Sequence, residues 1–186
     1  MSLSIPIQKA ARIVRQGGVI AYPTEGVFGL GCLPGDADAV SRLLEIKKRD
    51  PARGLILIAS ARAQLEPWIE LPDARQKLES TLDRPVTWLV PARPDTPFAI
   101  RGAHSKVAVR ITAHPVAAAL CEAAGSALVS TSANVAGQNP ARNGLVLRRR
   151  FGQLVDYIVP GQCGPAGSAS EIRDLASGRI VRAAEK

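Results

Sequence analysis

The sequence predicts an α/β domain built on a twisted, open, mixed β-sheet flanked by helices. Two observations carry that expectation. Segments of helical and of strand character alternate through most of the chain. The chain then closes on two short strand-like stretches joined by Ala176-Ser177-Gly178, a hairpin turn. Alternation puts helices against the sheet faces, and a terminal hairpin adds antiparallel pairing to parallel crossovers. The length of 186 residues suits one domain, residues 1–186, with a core that needs no covalent staples.

The elements follow in order. Ile5 to Gln16 has a helical period and is stopped by Gly17-Gly18. Val19–Tyr22 is a strand. Asp36 or Asp38 caps a helix reaching about Arg49, with Asp38/Arg42 and Glu45/Arg49 at i,i+4 spacing. Gly54–Ala59 is a buried strand, and Gln64–Leu82 a helix broken near Pro72. Val86–Val90 and Lys106–Thr112 are strands. Pro115–Ala124 is a helix ended by Gly125, Ala127–Ser130 a strand and Asn143–Phe151 a helix. Asp156–Val159, Glu171–Leu175 and Arg179–Arg182 are the closing strands.

Composition narrows the function. The longest apolar runs, GLILIA at 54–59 and VAAALC at 116–121, are too short to span a bilayer. The N-terminal stretch has no unbroken apolar core of a secretory signal. Cys32, Cys121 and Cys163 are odd in number and far apart, so they form neither a disulfide framework nor a CxxC metal site. A reducing cytoplasm is the expected compartment. The net charge of +8, from 24 basic and 16 acidic residues, suits nucleic acid, a polyanionic small substrate or simply a basic soluble enzyme. Aromatic residues are 4% of the chain, too few for a stacking platform for single strands. His104 and His114 are the only histidines and have no ligand-spaced partners, which argues against a dedicated zinc site. There is no GxxxxGK[ST] loop, and the order G-x-x-G-x-G at 26–31 is not the dinucleotide fingerprint.

Four places can carry chemistry. AYPTEGVFGLG at 21–31 interrupts a strand with Pro23, Thr24 and Glu25, then supplies Gly26, Gly29 and Gly31. The glycines either allow a ligand close to the backbone or serve positive φ in a turn. Lys47 falls in the apolar stripe of Val40, Leu43 and Leu44. It either snorkels past the last helical turn or aims a cation into a cleft beside Lys48, Arg49 and Arg53. STSAN at 130–134 sets Ser130, Thr131, Ser132 and Asn134 after a strand, either as a capped turn or as a cluster for phosphate or carbonyl oxygens. Arg110 shares a strand face with Ala108 and Thr112. That face is either solvated or offers a carboxylate clamp.

Taken together, VIAYPTEGVFGLGC, AVSRLLEIKKRDPARGLILIA, VAVRITAHP, ALVSTSANVAG and SEIRDL resemble the YrdC family, in order from residue 19 to residue 175. The resemblance is to its short bacterial members. It implies a YrdC-like sheet with a basic concave cleft. It implies an enzyme, a nucleotidyltransferase, that converts L-threonine, bicarbonate or CO₂ and ATP to threonylcarbamoyl-adenylate and pyrophosphate. Mg²⁺ would come with ATP, without a protein metal site. TsaD, TsaB and TsaE-type partners would then move the group to tRNAs that read codons beginning with A. The tRNA would be an indirect partner, with at most weak direct RNA contact, and no membrane is involved.

Residue by residue, the resemblance implies that Lys47 and Arg49 (K-x-R) with Ser132 and Asn134 (S-x-N) hold the ATP phosphates and the carboxylated intermediate. Ser130 and Arg182 would join the nucleotide contacts. Thr24, Arg110 and Ser170 would meet threonine, with Arg110 on a carboxylate. Glu25 matches a motif position but receives no role. Asp50 stands where the family commonly has proline, and Ala169 and Glu171 flank Ser170 where longer relatives have proline and threonine. The rival function is an RNA-binding or ribosome-assembly module using the same basic cleft, and its binding would weaken steeply with salt. Another carbamoyl transferase, using carbamoyl phosphate, is a further rival.

Overall fold

The computed structural model describes residues 4–70, 78, 85–165 and 170–183. Among them lies a mixed nine-stranded open sheet with helices on both faces. The strands are β1 (Ile20–Pro23), β2 (Phe28–Gly31), β3 (Ile56–Ala59), β4 (Val86–Pro91), β5 (Lys106–Ile111), β6 (Leu128–Ser132), β7 (Tyr157–Ile158), β8 (Glu171–Asp174) and β9 (Ile180–Arg182). Their order across the sheet is β7-β1-β2-β6-β3-β5-β4-β8-β9. The β7–β1, β3–β5 and β4–β8 pairs are parallel and the other five antiparallel. The expected terminal hairpin is β8–β9.

The helices are α1 (Ser4–Arg15), α2 (Ala37–Lys47), the single turn α3 (Phe98–Arg101), α4 (Pro115–Ala124) and α5 (Gly144–Phe151). Asn143 caps α5 through its side chain. Strand residues alternate between two apolar clusters, as the pleat requires. Val19, Ala21, Leu57 and Val129 pack with Val40, Leu43, Leu147 and Phe151, so α2 and α5 cover one face. Ile20, Tyr22, Ile58 and Leu128 pack with Ile7, Val14, Val116 and Leu120 of α1 and α4 on the other. On this second face β6 changes character. Leu128 is under the helices, but Ser130 and Ser132 continue the same face as polar residues. That change marks where the helical cover ends and a cleft begins.

Several expectations need correction. Of the two candidate caps of α2, Asp36 is the one used, accepting from Ala39 N–H at 2.9 Å. The helix stops at Lys47 because Lys48 turns left-handed, at φ 49°. Arg49 therefore leaves the helix line and bonds Gly54 O instead of pairing with Glu45. Arg42 pairs with Asp156 at 2.6 Å, not with Asp38. Residues 64–70 are not α-helical. Gln64 ends a 3₁₀ turn (Arg62–Gln64), Pro67 supplies no N–H, and Glu70 N–H bonds Pro91 O at 2.8 Å. Apart from Leu78, the remainder of the helix expected to Leu82 lies outside the described residues. The run after Glu25, to which the sequence assigned no strand, contains β2. Gly26, Gly29 and Gly31 do not have positive φ. Gly31 is needed because a Cβ there would stand 2.2 Å from Val129 O and 2.9 Å from the Tyr22 ring.

Candidate active site

A cleft opens on the partly covered face. Its walls come from the β1–β2 turn (Thr24, Glu25, Gly26), from Arg49, from β5 (Arg110), from β6 (Ser130, Thr131, Ser132), from Ser170 before β8 and from Arg182 in β9. The sheet order explains the convergence of such distant residues. β6 sits between β2 and β3, so its hydroxyls stand beside the Thr24–Glu25 turn, with Ser132 directly opposite Gly29. β5 lies next to β3, which brings Arg110 level with Ile58.

The β6 side is rich in directed polar groups. The strand expected to end at Ser130 runs on through Ser132, so the first hydroxyls of the cluster stand on a strand and not in a capped turn. Lys47 neither snorkels nor faces open cleft. It is 3% exposed, and its ammonium donates to Ser132 O, Asn134 O at 2.8 Å and Asn134 Oδ1 at 3.1 Å. Its own carbonyl accepts from Ala136 N–H. Lys47 and Asn134 thus stand behind the wall that Ser130 and Ser132 form. Ser132 Oγ donates to Asn134 Oδ1 at 2.6 Å, and Asn134 Nδ2 donates to Gln138 O. Burial, and then the nearby Arg49 charge, lower the Lys47 pKa to about 8. Three oxygen acceptors oppose that loss and favour the ammonium at neutral pH.

Arg49 reaches the cleft because of the left-handed Lys48. Its Nη2 donates to Gly54 O at 2.8 Å and its Nε to the same oxygen at 3.2 Å. Burial, Arg53 and Arg182 all press its pKa downward, so three guanidinium groups share one region. Arg182 Nη2 donates to Ser170 O at 3.0 Å. Asp50, the departure after K-x-R, caps the short 3₁₀ turn Pro51–Arg53 by accepting from Ala52 N–H at 2.8 Å. It shapes the turn that carries Arg53.

The opposite side holds Thr24, Glu25, Arg110 and Ser170. Thr24 Oγ1 donates to Val27 O at 2.7 Å and closes the β1–β2 turn. Ser170 Oγ shares a hydrogen with Thr87 Oγ1 at 2.7 Å, both groups being buried. Arg110 is 8% exposed, so its strand face is not solvated. Its Nη2 stands 3.4 Å from Glu25 Oε2, and its Nε has no hydrogen-bond partner. Burial alone would raise the Glu25 carboxyl, but the Arg110 charge and the Thr112 hydroxyl outweigh it and hold the group below its usual range. Glu25 and Thr112 are the site residues that sequence reasoning left without a role. One signal was present: Thr112 shares a strand face with Arg110. Among the described residues, no group of three or more His, Cys, Asp or Glu side chains could hold a metal ion.

Comparison with known proteins places the whole chain. Residues 12–184 match the Sua5/YciO/YrdC family model, described as "Telomere recombination". A protein of Nitrosococcus oceani named threonylcarbamoyl-AMP synthase is 53% identical over 179 residues, covering 95% of this chain and 96% of its own. One of that name from Alkalilimnicola ehrlichii is 52% identical over 181 residues, with 95% of each chain covered. Among solved structures, P. abyssi Sua5 complexed with L-threonine superposes with TM-score 0.87 at 30% identity, covering 96% of this chain and 54% of that one. This chain therefore spans about half the length of that protein. E. coli YciO shares the fold, with TM-score 0.83 at 24% identity and coverage of 98% and 90%. The chain belongs to the Sua5/YciO/YrdC family.

Proposed function

We propose that this chain is a threonylcarbamoyl-AMP synthase and that the cleft binds L-threonine on its Thr24–Arg110–Ser170 side and ATP on its Arg49–Ser132–Arg182 side. The observation that carries the substrate assignment is the Arg110 guanidinium. It is buried in the cleft, its Nε lacks an acceptor, and its paired carboxylate lies at ion-pair distance rather than in a hydrogen bond. Such a group has donors left for a carboxylate ligand. The name carried by relatives about half identical in sequence supports the reaction.

The chemistry follows from the charges. The threonine amine attacks bicarbonate or CO₂ and forms a carbamate; with CO₂ the nitrogen releases one proton, and with bicarbonate that proton leaves with the displaced hydroxyl as water. A carbamate oxygen then attacks the α-phosphorus of ATP, the bond to the β-phosphate oxygen breaks, and pyrophosphate leaves. Negative charge grows on phosphoryl oxygens as this happens. Arg49 and Arg182 supply guanidinium donors there, and Ser130 and Ser132 supply hydroxyls fixed in a strand. Lys47 acts from behind, by holding the carbonyls of Ser132 and Asn134 so that the S-x-N segment keeps its shape. Mg²⁺ arrives on the ATP phosphates as part of the substrate. The adenylate then passes to TsaD, TsaB and TsaE-type proteins for transfer to tRNA in the cytoplasm.

The test is product analysis. Purified chain with ATP, Mg²⁺ and bicarbonate should give a threonylcarbamoyl-adenylate peak only when L-threonine is present. A folded chain that binds ATP yet makes no such peak would end this reading.

A further inference from the structure

Glu25 has no place in the chemistry above, yet a hydrogen bond fixes its Oε1, while its buried Oε2 makes no hydrogen bond and is set against Arg110 at ion-pair distance. Thr112 Oγ1 donates to Oε1 at 2.6 Å, and Arg110 Nη2 faces Oε2 at 3.4 Å. Thr112 in turn accepts from the backbone N–H of His114 at 3.3 Å. The chain of support therefore runs from His114 N–H through Thr112 to Glu25, and from Glu25 to Arg110.

Arg110 needs such a guide. An arginine side chain has several rotatable bonds, and its value as a carboxylate clamp depends on where the fork points. Among the described residues, Glu25 forms the ion pair with the Arg110 head. The two side chains come from different elements. Glu25 sits on the turn that also carries Thr24, and Arg110 sits on β5. Their contact ties the two elements together across the threonine side of the cleft. It also balances charge: a neutral carboxylate–guanidinium pair receives an amino-acid zwitterion without leaving a net charge buried.

We propose that Glu25 is the positioning residue of the threonine side: it holds the Arg110 guanidinium so that its remaining donors meet the substrate carboxylate, and Thr112 holds Glu25. The assignment rests on the reading that Arg110 receives threonine.

The test compares wild type, Glu25→Gln and Thr112→Val. Dissociation constants for L-threonine and ATP are read by calorimetry, and kcat and KM by pyrophosphate release. Glutamine keeps the volume of Glu25 and an acceptor for Thr112 but removes the charge. Glu25→Gln should weaken L-threonine binding and raise its KM by at least about tenfold, the cost of one displaced charged contact. ATP affinity, and kcat at saturating threonine, should stay within about threefold. Thr112→Val should shift the same constants in the same direction by less. Wild-type threonine affinity in a folded Glu25→Gln overturns the proposal. A fall in kcat at unchanged KM also overturns it, because Glu25 would then act on the reacting groups. If Glu25→Gln does not fold, Thr112→Val decides: no threonine-specific loss overturns the assignment. A wild-type chain that binds ATP but not threonine would overturn the function itself. Loss confined to the variants' threonine constants supports both.

Discussion

Lys47 holds a charge in a place with almost no water, and that position explains its role. Burying an ammonium costs several kcal/mol unless acceptors surround it. Here three oxygens of the Ser132–Asn134 segment do so. Removing the ammonium leaves three inward-pointing acceptors and frees the segment that carries the Ser132 hydroxyl. Arg49 differs, because it faces the cleft directly. Arg49→Ala, as a lost preorganised donor, and Lys47→Ala, through loss of the support it gives the Ser132–Asn134 segment, should each lower adenylate formation by roughly 10²–10³ or more. Circular dichroism should show both variants folded, and near-normal turnover in either removes that residue from the mechanism. The odd position of Lys47 was legible in sequence, because helical period puts it in an apolar stripe. Its target was not legible, since the accepting oxygens lie 85 and 87 residues away. The role of Glu25 was hidden for the same reason, as Thr112 is 87 residues distant.

At the scale of elements, β2 shows why glycine-rich stretches mislead. Two glycines in four residues lower strand propensity, so PTEGVFGLG reads as loop. Tertiary packing decides otherwise. β2 lies between β1 and β6, and the missing side chain at Gly31 lets Tyr22 and the Val129 carbonyl approach. Gly31→Ala should therefore destabilise the fold by about 1–3 kcal/mol, the range for overpacking a tight site. Urea denaturation reads this directly, and an unchanged midpoint contradicts the packing account. Elements with strong local signals were legible to within a residue or two. α4 runs between Pro115 and Gly125, and α1 stops before Gly17-Gly18, because proline and glycine act locally. α2 ended two residues early because Lys48 takes a left-handed turn without being glycine. That exception carries Arg49 into the cleft.

For the whole molecule, the sequence pointed to a mixed α/β sheet but not to strand order. Order depends on long-range pairings such as β7 with β1 and β4 with β8, which leave no local mark. The site inherits this, since its residues meet only once β6 is inserted between β2 and β3. The core also sets a pH limit on stability. Burial raises the thiols of Cys32 and Cys121 to about 12 from an ordinary 9, and burial raises Tyr22 as well. Above pH 9 the unfolded chain releases thiol protons that the folded chain keeps, so stability falls as pH rises from 9 towards 12. Lys47 acts oppositely between about 8 and 10.5, because its folded pKa is depressed. Two thiols and a phenol outweigh one ammonium, so denaturant midpoints should decline above pH 9. Cys32→Ala and Cys121→Ala should each flatten that decline, and an alkaline profile identical to wild type in both would contradict it.

The central claim is that one cleft joins threonine to ATP. It is tested most directly by pyrophosphate release from purified chain with ATP, Mg²⁺ and bicarbonate, measured with and without L-threonine and across a salt series. The account predicts release that requires threonine, needs no RNA and is matched by the adenylate product. Release independent of threonine, or no release from a folded chain whose RNA binding weakens steeply with salt, would contradict it and favour a nucleic-acid-binding role for the cleft.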